Sequence, residues 1–514
     1  MKRIGRYSIV KTQFSADRQI KYGSMISYLL IALNVILGLL YTPWILHEIG
    51  SSHYGLYTLA TSLISLFLMD FGMSAAVTRF VALYRAQNNQ KKIAEFLSVT
   101  IKLYLIIMTM ISVVLIVVYF NINRIYSNLT MDELETFRVV FILTGVCVVI
   151  CLPVNICNGV LNAYEEYIEL KLSEVFNRVG TVIVTIIALS HHGGLFALIL
   201  INEGFNLLTF LIKLWLIRCN IPLKLELSYF NLREMKEAFS FSLWTTVISI
   251  SQSMIFNIMP TILAMTLDTM AITLYGFANV IEGYVSTITG AINGMFLPKI
   301  SRITVGEKDA SQVLPLMIKV GRINQSIVTL LLIGLIVLGR EFVTLWVGEE
   351  YALLFPCILL LSLPYFISAS QQIANSSITA LNKVKYSAII NIVTGVLNLL
   401  VAYFVSGKFG IVGVCVTIGC TFLLRLIAIN IVYVKILKIN IGRFFLECQG
   451  KLMPATLLCL GIAFVIDGSV HLWSGSWIGF FIKVVLIMLE YFLCMWMIGW
   501  NRFEKDLLKS FILR

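Results

Sequence analysis

The sequence predicts an all-α polytopic membrane protein of about fourteen transmembrane helices, arranged as two six-helix lobes around a central cavity plus two extra C-terminal helices. Three observations carry this reading. The 514 residues are 59% hydrophobic and 13% charged, with a mean hydropathy of +0.90, too apolar for a water-soluble fold of this size. Apolar runs of roughly 20 residues, the length a helix needs to cross a bilayer, recur along the whole chain, and the period-two alternation of an outer-membrane barrel is absent. Finally, the first twelve runs read as two similar sets of six.

In chain order the spans lie near 23–46, 55–78, 96–119, 137–160, 172–190, 194–217, 239–264, 271–296, 320–338, 351–373, 386–405, 411–434, 452–468 and 477–499. Ahead of them, Lys2, Arg3, Arg6, Lys11, Arg18 and Lys21 stand among polar residues. No short apolar stretch with a small-residue cleavage site follows, so the first span is expected to stay in the mature protein. The implied organisation is a basic N-terminus (1–22), a first lobe (23–218), a linker (219–238), a second lobe (239–434), spans 13 and 14 (435–499) and a C-terminal tail (500–514).

An even number of spans puts both termini on one side of the membrane. The termini and every second connecting segment hold about 29 Lys and Arg residues, against about three (Arg124, Arg340 and Lys408) in the alternate segments. Basic segments stay inside, so both termini are expected in the cytoplasm. The net charge of +12 then reads as contact with anionic membrane lipids, with no nucleic acid implied.

Several function classes fall away at this stage. The longest connection, near 297–318, is roughly 22 residues, too short for a soluble catalytic domain, and the longest external one, around "NINRIYSNLTMDELETF", is shorter still. This excludes glycosyltransferase and polymerase readings that need a large loop. No GxxxxGK[ST] phosphate loop is present, which excludes ATP-driven export within this chain. The ten cysteines form no CxxC and sit mostly inside apolar runs as small hydrophobes; no catalytic residue, cofactor or metal site is expected. The five histidines fall in short external segments, and Trp44, Trp346, Trp473, Trp477 and Trp500 sit near span ends, as interfacial aromatics do.

The repeat is visible in particular words. "YGLYTLATSLISLFLMDFGMSAAVTRF" from Tyr54 parallels "YGFANVIEGYVSTITGAINGMFLPKIS" from Tyr275. "LPVNICNGVLNAYEEY" from Leu152 parallels "LPYFISASQQIANSSITALNKVKY" from Leu363, and "GGLFALIL" from Gly193 parallels "FGIVGVCV" from Phe409. Spans 1–6 thus read as a copy of spans 7–12 in the same membrane sense, an architecture associated with rocking between two lobes.

A charge at bilayer depth costs at least roughly 2.5 kcal/mol and marks a functional residue or a partnered one. Asp70 lies roughly 20 Å into span 2. Arg79 is nine residues further on, on the opposite helix face and close enough to the cytoplasmic end to snorkel. Glu203 and Glu282 lie near mid-depth in spans 6 and 8, and Arg425 is deep in span 12. Glu174 and Arg178, four apart in span 5, are placed to form a local salt bridge. Lys102, Lys213 and Arg322 read as snorkelling residues, and Lys483 and Glu490 in span 14 as packing or partner contacts.

The run "ALNVILGLLYTPWILHEIGSSHYGLY", with Asn34 and Pro43, followed by "MDFGMSAAVTRFVALYRAQNNQKK", resembles the start of O-antigen flippases and related polysaccharide transporters. These belong to the multidrug/oligosaccharidyl-lipid/polysaccharide exporter superfamily. The resemblance extends over the whole chain in span number, orientation and repeat. It implies a multi-pass protein of the bacterial plasma membrane that carries an undecaprenyl-diphosphate-linked glycan from the inner to the outer leaflet. A polysaccharide polymerase and chain-length proteins are conceivable partners.

On that reading a diphosphate head needs cationic donors, best supplied by arginine, and Arg178, Arg425 and Arg79 are the candidates. Asn34, Gln252, Asn257 and Tyr284 are candidates for the polar wall that a glycan needs. Asp70, Glu203 and Glu282 are candidates for carrying a coupling proton or cation. Two alternatives stay open: a cation-coupled multidrug exporter of the same fold, and a non-transporting scaffold of an envelope polysaccharide assembly complex.

Overall fold

A computed structural model describes residues 16–67, 72–221, 228–229, 231–306, 313–381, 383–469 and 475–512. The described regular structure is helical. In order it comprises α1 (Ala16–Ser65), α2 (Met73–Ala86), α3 (Gln90–Ile125), α4 (Met131–Cys151), α5 (Val154–Ala163), α6 (Tyr167–Ser190) and α7 (Gly194–Asn220). These are followed by α8 (Leu232–Phe256), α9 (Met259–Thr266), α10 (Thr269–Gly306), α11 (Val313–Val347), α12 (Leu354–Ser362), α13 (Tyr365–Ser368) and α14 (Gln372–Ala380). The chain closes with α15 (Val384–Leu437), α16 (Ile441–Phe445), α17 (Lys451–Ser469), α18 (Trp477–Cys494) and α19 (Arg502–Ile512).

Among the described residues, eleven helical stretches are long and apolar enough to cross a membrane. Two of them, containing α1 and α15, are pairs of spans joined at Gly50 (φ 79°) and Gly410 (φ 62°), backbone conformations that glycine adopts without the steric cost a side chain would bring. With α10 these make up the fourteen spans expected from the sequence.

The helices run further than the hydrophobic runs suggest. Of the expected long segment near 297–318, α10 takes residues up to Gly306, and α3 and α4 leave only a short turn between Ile125 and Met131. The span expected at 452–468 begins earlier, at Ile441, and passes through a π-helical turn at Leu446–Gly450. Both Leu-Pro words of the repeat break their spans: a turn at Leu152–Pro153 separates α4 from α5, and one at Leu363–Pro364 separates α12 from α13. Proline has no N–H to donate and its ring crowds the carbonyl four residues back, which interrupts each helix at this point.

The chain forms two compact units: residues 1–49, 67–125 and 134–249, and residues 50–66, 126–133 and 250–514. In the first, α2 packs on α5 and α6 on α7. Thr78 Oγ1 donates to the Gly159 carbonyl at 3.2 Å and Arg85 Nη1 to the Ala163 carbonyl at 3.1 Å, tying α2 along α5.

In the second unit α11 is the central post. A core of Ile333, Val337, Leu338, Leu452, Ala455, Cys459, Phe480 and Ile487 joins it to α17 and α18. Ion pairs hold the same helices beyond both ends of this core. Lys483 Nζ lies 2.8 Å from Glu341 and 2.7 Å from Asp467, which confirms a packing role for Lys483. At the other end Arg322 pairs with Glu504, the latter on the C-terminal helix α19. Trp346 is not an interfacial aromatic: it is buried, edge-on to Phe277 at 5.3 Å and stacked on Phe342 at 5.2 Å. Trp473 lies outside the described residues.

Candidate functional site

The first unit holds a half-open cavity of about 420 Å³ into which charged and amide side chains are set. Its wall combines Asn34 from α1, Asn158 from α5, Glu174, Asn177 and Arg178 from α6, and Glu203, Asn206, Thr209 and Lys213 from α7, with Leu30, Val148, Cys151 and Val154 completing it. On α7, residues 203, 206 and 213 fall on one face at helical spacing, which turns that face of an otherwise apolar helix towards the cavity.

Amides link the two main walls. Asn177 Nδ2 donates to Asn206 Oδ1 at 3.2 Å and to Thr209 Oγ1 at 3.0 Å, and Asn206 Nδ2 donates to Glu203 Oε2 at 3.4 Å. Lys213 is not a snorkelling residue. It is 4% exposed, and its ammonium donates to Asn158 Oδ1 at 2.9 Å.

Glu174 does not pair with Arg178; it accepts from Lys171 at 2.8 Å. Lys171 stands three residues before Glu174 on the same helix and reaches its carboxylate, so the i,i+4 partner loses it. Arg178 Nε is left buried without a hydrogen-bond partner. Among the described residues, neither Arg178 nor Lys213 has a carboxylate within 4 Å. A buried donor without a partner, such as Arg178 Nε, is costly, and this arginine with Lys213 beside an amide lattice forms a surface suited to an anion with attached hydroxyls.

The second unit holds a different constellation. Glu282 on α10 accepts a hydrogen bond from the Tyr365 hydroxyl on α13, immediately after the Leu-Pro break, and both are buried. Tyr365 packs on Phe422 at 5.6 Å, and the Arg425 guanidinium lies 4.0 Å over the Phe422 ring, close enough for its charge to act on Glu282 and Tyr365. Arg425 thus lies within electrostatic reach of a buried acid.

The remaining candidates are not gathered into either place. Arg79 is exposed on α2 with its guanidinium 5.9 Å over Phe80. Gln252 is exposed, Asn257 Nδ2 donates to Ser253 Oγ at the α8–α9 break, and Tyr284 is half-buried on α10. Asp70 lies outside the described residues. Arg322 also departs from the snorkelling reading: it is 4% exposed and fully engaged with protein.

Asn158, Asn177, Asn206 and Tyr365 were not singled out from the sequence, and Lys213 was noted only as a snorkelling residue. Reading α6 and α7 as faces would have turned Lys213, Asn177 and Asn206 inward, since each shares a helical stripe or an adjacent position with a residue already noted; Asn158 lies on α5 and gives no such signal.

Comparison with known proteins agrees with this architecture. The model of the "Polysaccharide biosynthesis protein" family matches residues 21–304. A putative O-antigen transporter of Shigella flexneri is 20% identical over 399 residues, 76% of this chain and 92% of that protein. The solved lipid II flippase MurJ in an inward closed conformation superposes with a TM-score of 0.70 at 16% identity, covering 95% of this chain and 100% of that one. An inward-facing multidrug resistance MATE transporter superposes with a TM-score of 0.66 at 13% identity, covering 82% and 99%. At such identities the two structures speak for the fold.

Proposed function

The chain belongs to the polysaccharide biosynthesis protein family, and on that premise we propose that it is a flippase for an undecaprenyl-diphosphate-linked oligosaccharide. It is a multi-pass membrane transporter and not an enzyme. The glycolipid would cross the bacterial plasma membrane from inner to outer leaflet by alternating access, with both termini in the cytoplasm. The likeness to a putative O-antigen transporter and to the fold of a lipid II flippase supports a lipid-linked glycan as the cargo.

The observation that carries the reading is the cavity between α1, α5, α6 and α7. A diphosphate leaving water must exchange it for fixed positive charge, and Arg178 and Lys213 line the cavity with no carboxylate within 4 Å of either among the described residues. The amides of Asn34, Asn158, Asn177 and Asn206 suit sugar hydroxyls, being donors and acceptors at once.

Glu282, held by Tyr365 and near Arg425, is the group we assign to proton or cation coupling, with Glu203 in the cavity as the second candidate.

The test is complementation of a strain lacking the protein, with lipid-linked oligosaccharide assayed on each membrane face. Arg178→Gln and Lys213→Gln, at normal expression, should each slow transfer roughly 10- to 100-fold, matching the ~1.5–3 kcal/mol of a hydrogen bond to a charged group. Arg178→Lys should retain part of the activity, because it keeps charge and loses the bidentate fork. Normal export by both Gln variants would remove the cavity from the mechanism.

A further inference from the structure

Cys459 on α17, with Glu490 and Cys494 on α18, brings two thiol sulfurs and a carboxylate oxygen within 4.8 Å of one another. The cluster lies outside the cavity and outside the twelve-span repeat. Glu490 and Cys494 are four residues apart, so they share one face of α18, and Cys459 meets them from the facing helix. In sequence the two cysteines are 35 positions apart, so no motif joins them.

The local chemistry is unsatisfied. Cys494 Sγ donates to Glu490 Oε1 at 3.1 Å, while Glu490 Oε2 is buried without a hydrogen-bond partner. Cys459 is fully buried. Directly after Cys494 the helix widens into a π-helical turn, Met495–Gly499, a distortion that often accompanies a working site.

We propose that this trio binds a thiophilic d10 divalent cation of the zinc class, stapling spans 13 and 14 to each other. Two sulfurs and one oxygen suit zinc or cadmium and are poor ligands for sodium or magnesium, which prefer oxygen shells. A tetrahedral zinc with Zn–S bonds of about 2.3 Å separates its sulfurs by roughly 3.8 Å, within reach of small rotamer changes from the arrangement seen. Binding displaces the thiol protons to solvent and fills the empty valence of Glu490 Oε2, leaving a fourth position for water.

The experiment uses the full chain purified in detergent under reducing, metal-free conditions, with Cd2+ and Zn2+ as probes. Wild type should bind one equivalent of either ion by elemental analysis and show an ultraviolet sulfur-to-cadmium charge-transfer band. Cys459→Ser/Cys494→Ser should abolish the band. Glu490→Gln, which preserves both thiols and so guards against a misfolded double variant, should weaken affinity about tenfold or more. Cys357→Ala/Cys415→Ala, which removes a separate pair of thiols that meet each other on α12 and α15, should leave the band intact. Three results would each overturn the proposal: no band in wild type, a band that persists without Cys459 and Cys494, or an affinity unchanged in Glu490→Gln. Recovery of Cys459 and Cys494 as a disulfide from membranes would overturn it as well.

Discussion

Tyr54 lies stacked on Phe277 within the second unit, ring centroids 4.7 Å apart and planes 17° from parallel. Each ring adjoins one of the two Tyr-Gly words of the repeat, and the glycines bring the backbones together: a Cβ on Gly55 would fall 2.5 Å from the Thr269 carbonyl oxygen, and one on Gly276 would fall 2.8 Å from Thr58 Oγ1. Thr273 Oγ1 donates to the Ser51 carbonyl at 2.7 Å, and Glu133 Oε1 accepts from Ser52 at 2.7 Å and Thr269 at 2.9 Å. Gly55→Val should force this crossing apart at a cost of about 1–3 kcal/mol, lowering the thermal stability of the detergent-purified protein. An unchanged melting temperature in Gly55→Val would mean that the contact yields freely.

Arg322 makes a two-pronged ion pair with Glu504, Nε to Oε1 at 2.5 Å and Nη2 to Oε2 at 3.0 Å, and it also donates to the carbonyls of Gly499 and Glu447. Removing one partner strands a buried charge. Arg322→Met is therefore expected to cost ~3–5 kcal/mol, and Arg322→Met/Glu504→Gln should recover most of that loss. Thermal unfolding of the four proteins in the cycle measures the difference; equal losses in the single and double variants would show that the carbonyl contacts, and not the ion pair, carry the energy.

These residues show how far the sequence can be read. Hydrophobic runs of bilayer length and the asymmetry of basic residues are local signals, so span number was legible. The two Leu-Pro words were visible only as a repeat: spans 137–160 and 351–373 run straight through them, although proline acts on its own helix and both are broken there. What Arg178, Lys213 and Arg322 do was not legible, since it depends on which neighbouring helix faces them. Position near a span end suggested snorkelling for Lys213 and Arg322, yet both turn inward to Asn158 and Glu504. Likewise Lys171, three residues before Glu174, takes it from Arg178, four residues after, a choice between two helical neighbours that spacing alone does not decide. The two Tyr-Gly words were visible as a repeat, but their meeting in space was not.

The two acids separate by their surroundings. Glu203 faces the cavity beside Asn206, whereas Glu282 is closed in by Tyr365 and lies near Arg425. If Glu282 carries the coupling ion, Glu282→Gln should transport at a reduced rate that no longer responds to an imposed pH or sodium gradient. Glu203→Gln should mainly weaken substrate capture, leaving the gradient response in place. Vesicle assays with and without the gradient distinguish the two; full gradient response in Glu282→Gln would move coupling elsewhere.

Orientation can be tested at a single thiol. Cys448, in the basic segment before span 13, invites labelling by sequence, but it is fully buried behind Met317, Val320 and Phe444 and is a poor reporter. Cys219 is exposed at the C-terminal end of α7, next to Arg218 and at the start of the basic linker. From the excess of basic residues at that end of the spans it is expected in the cytoplasm. In a variant retaining Cys219 alone, a membrane-permeant maleimide should label intact cells and an impermeant one should label only after the membrane is opened. Labelling of intact cells by the impermeant reagent would reverse the orientation, and with it the direction in which the cavity takes up its substrate.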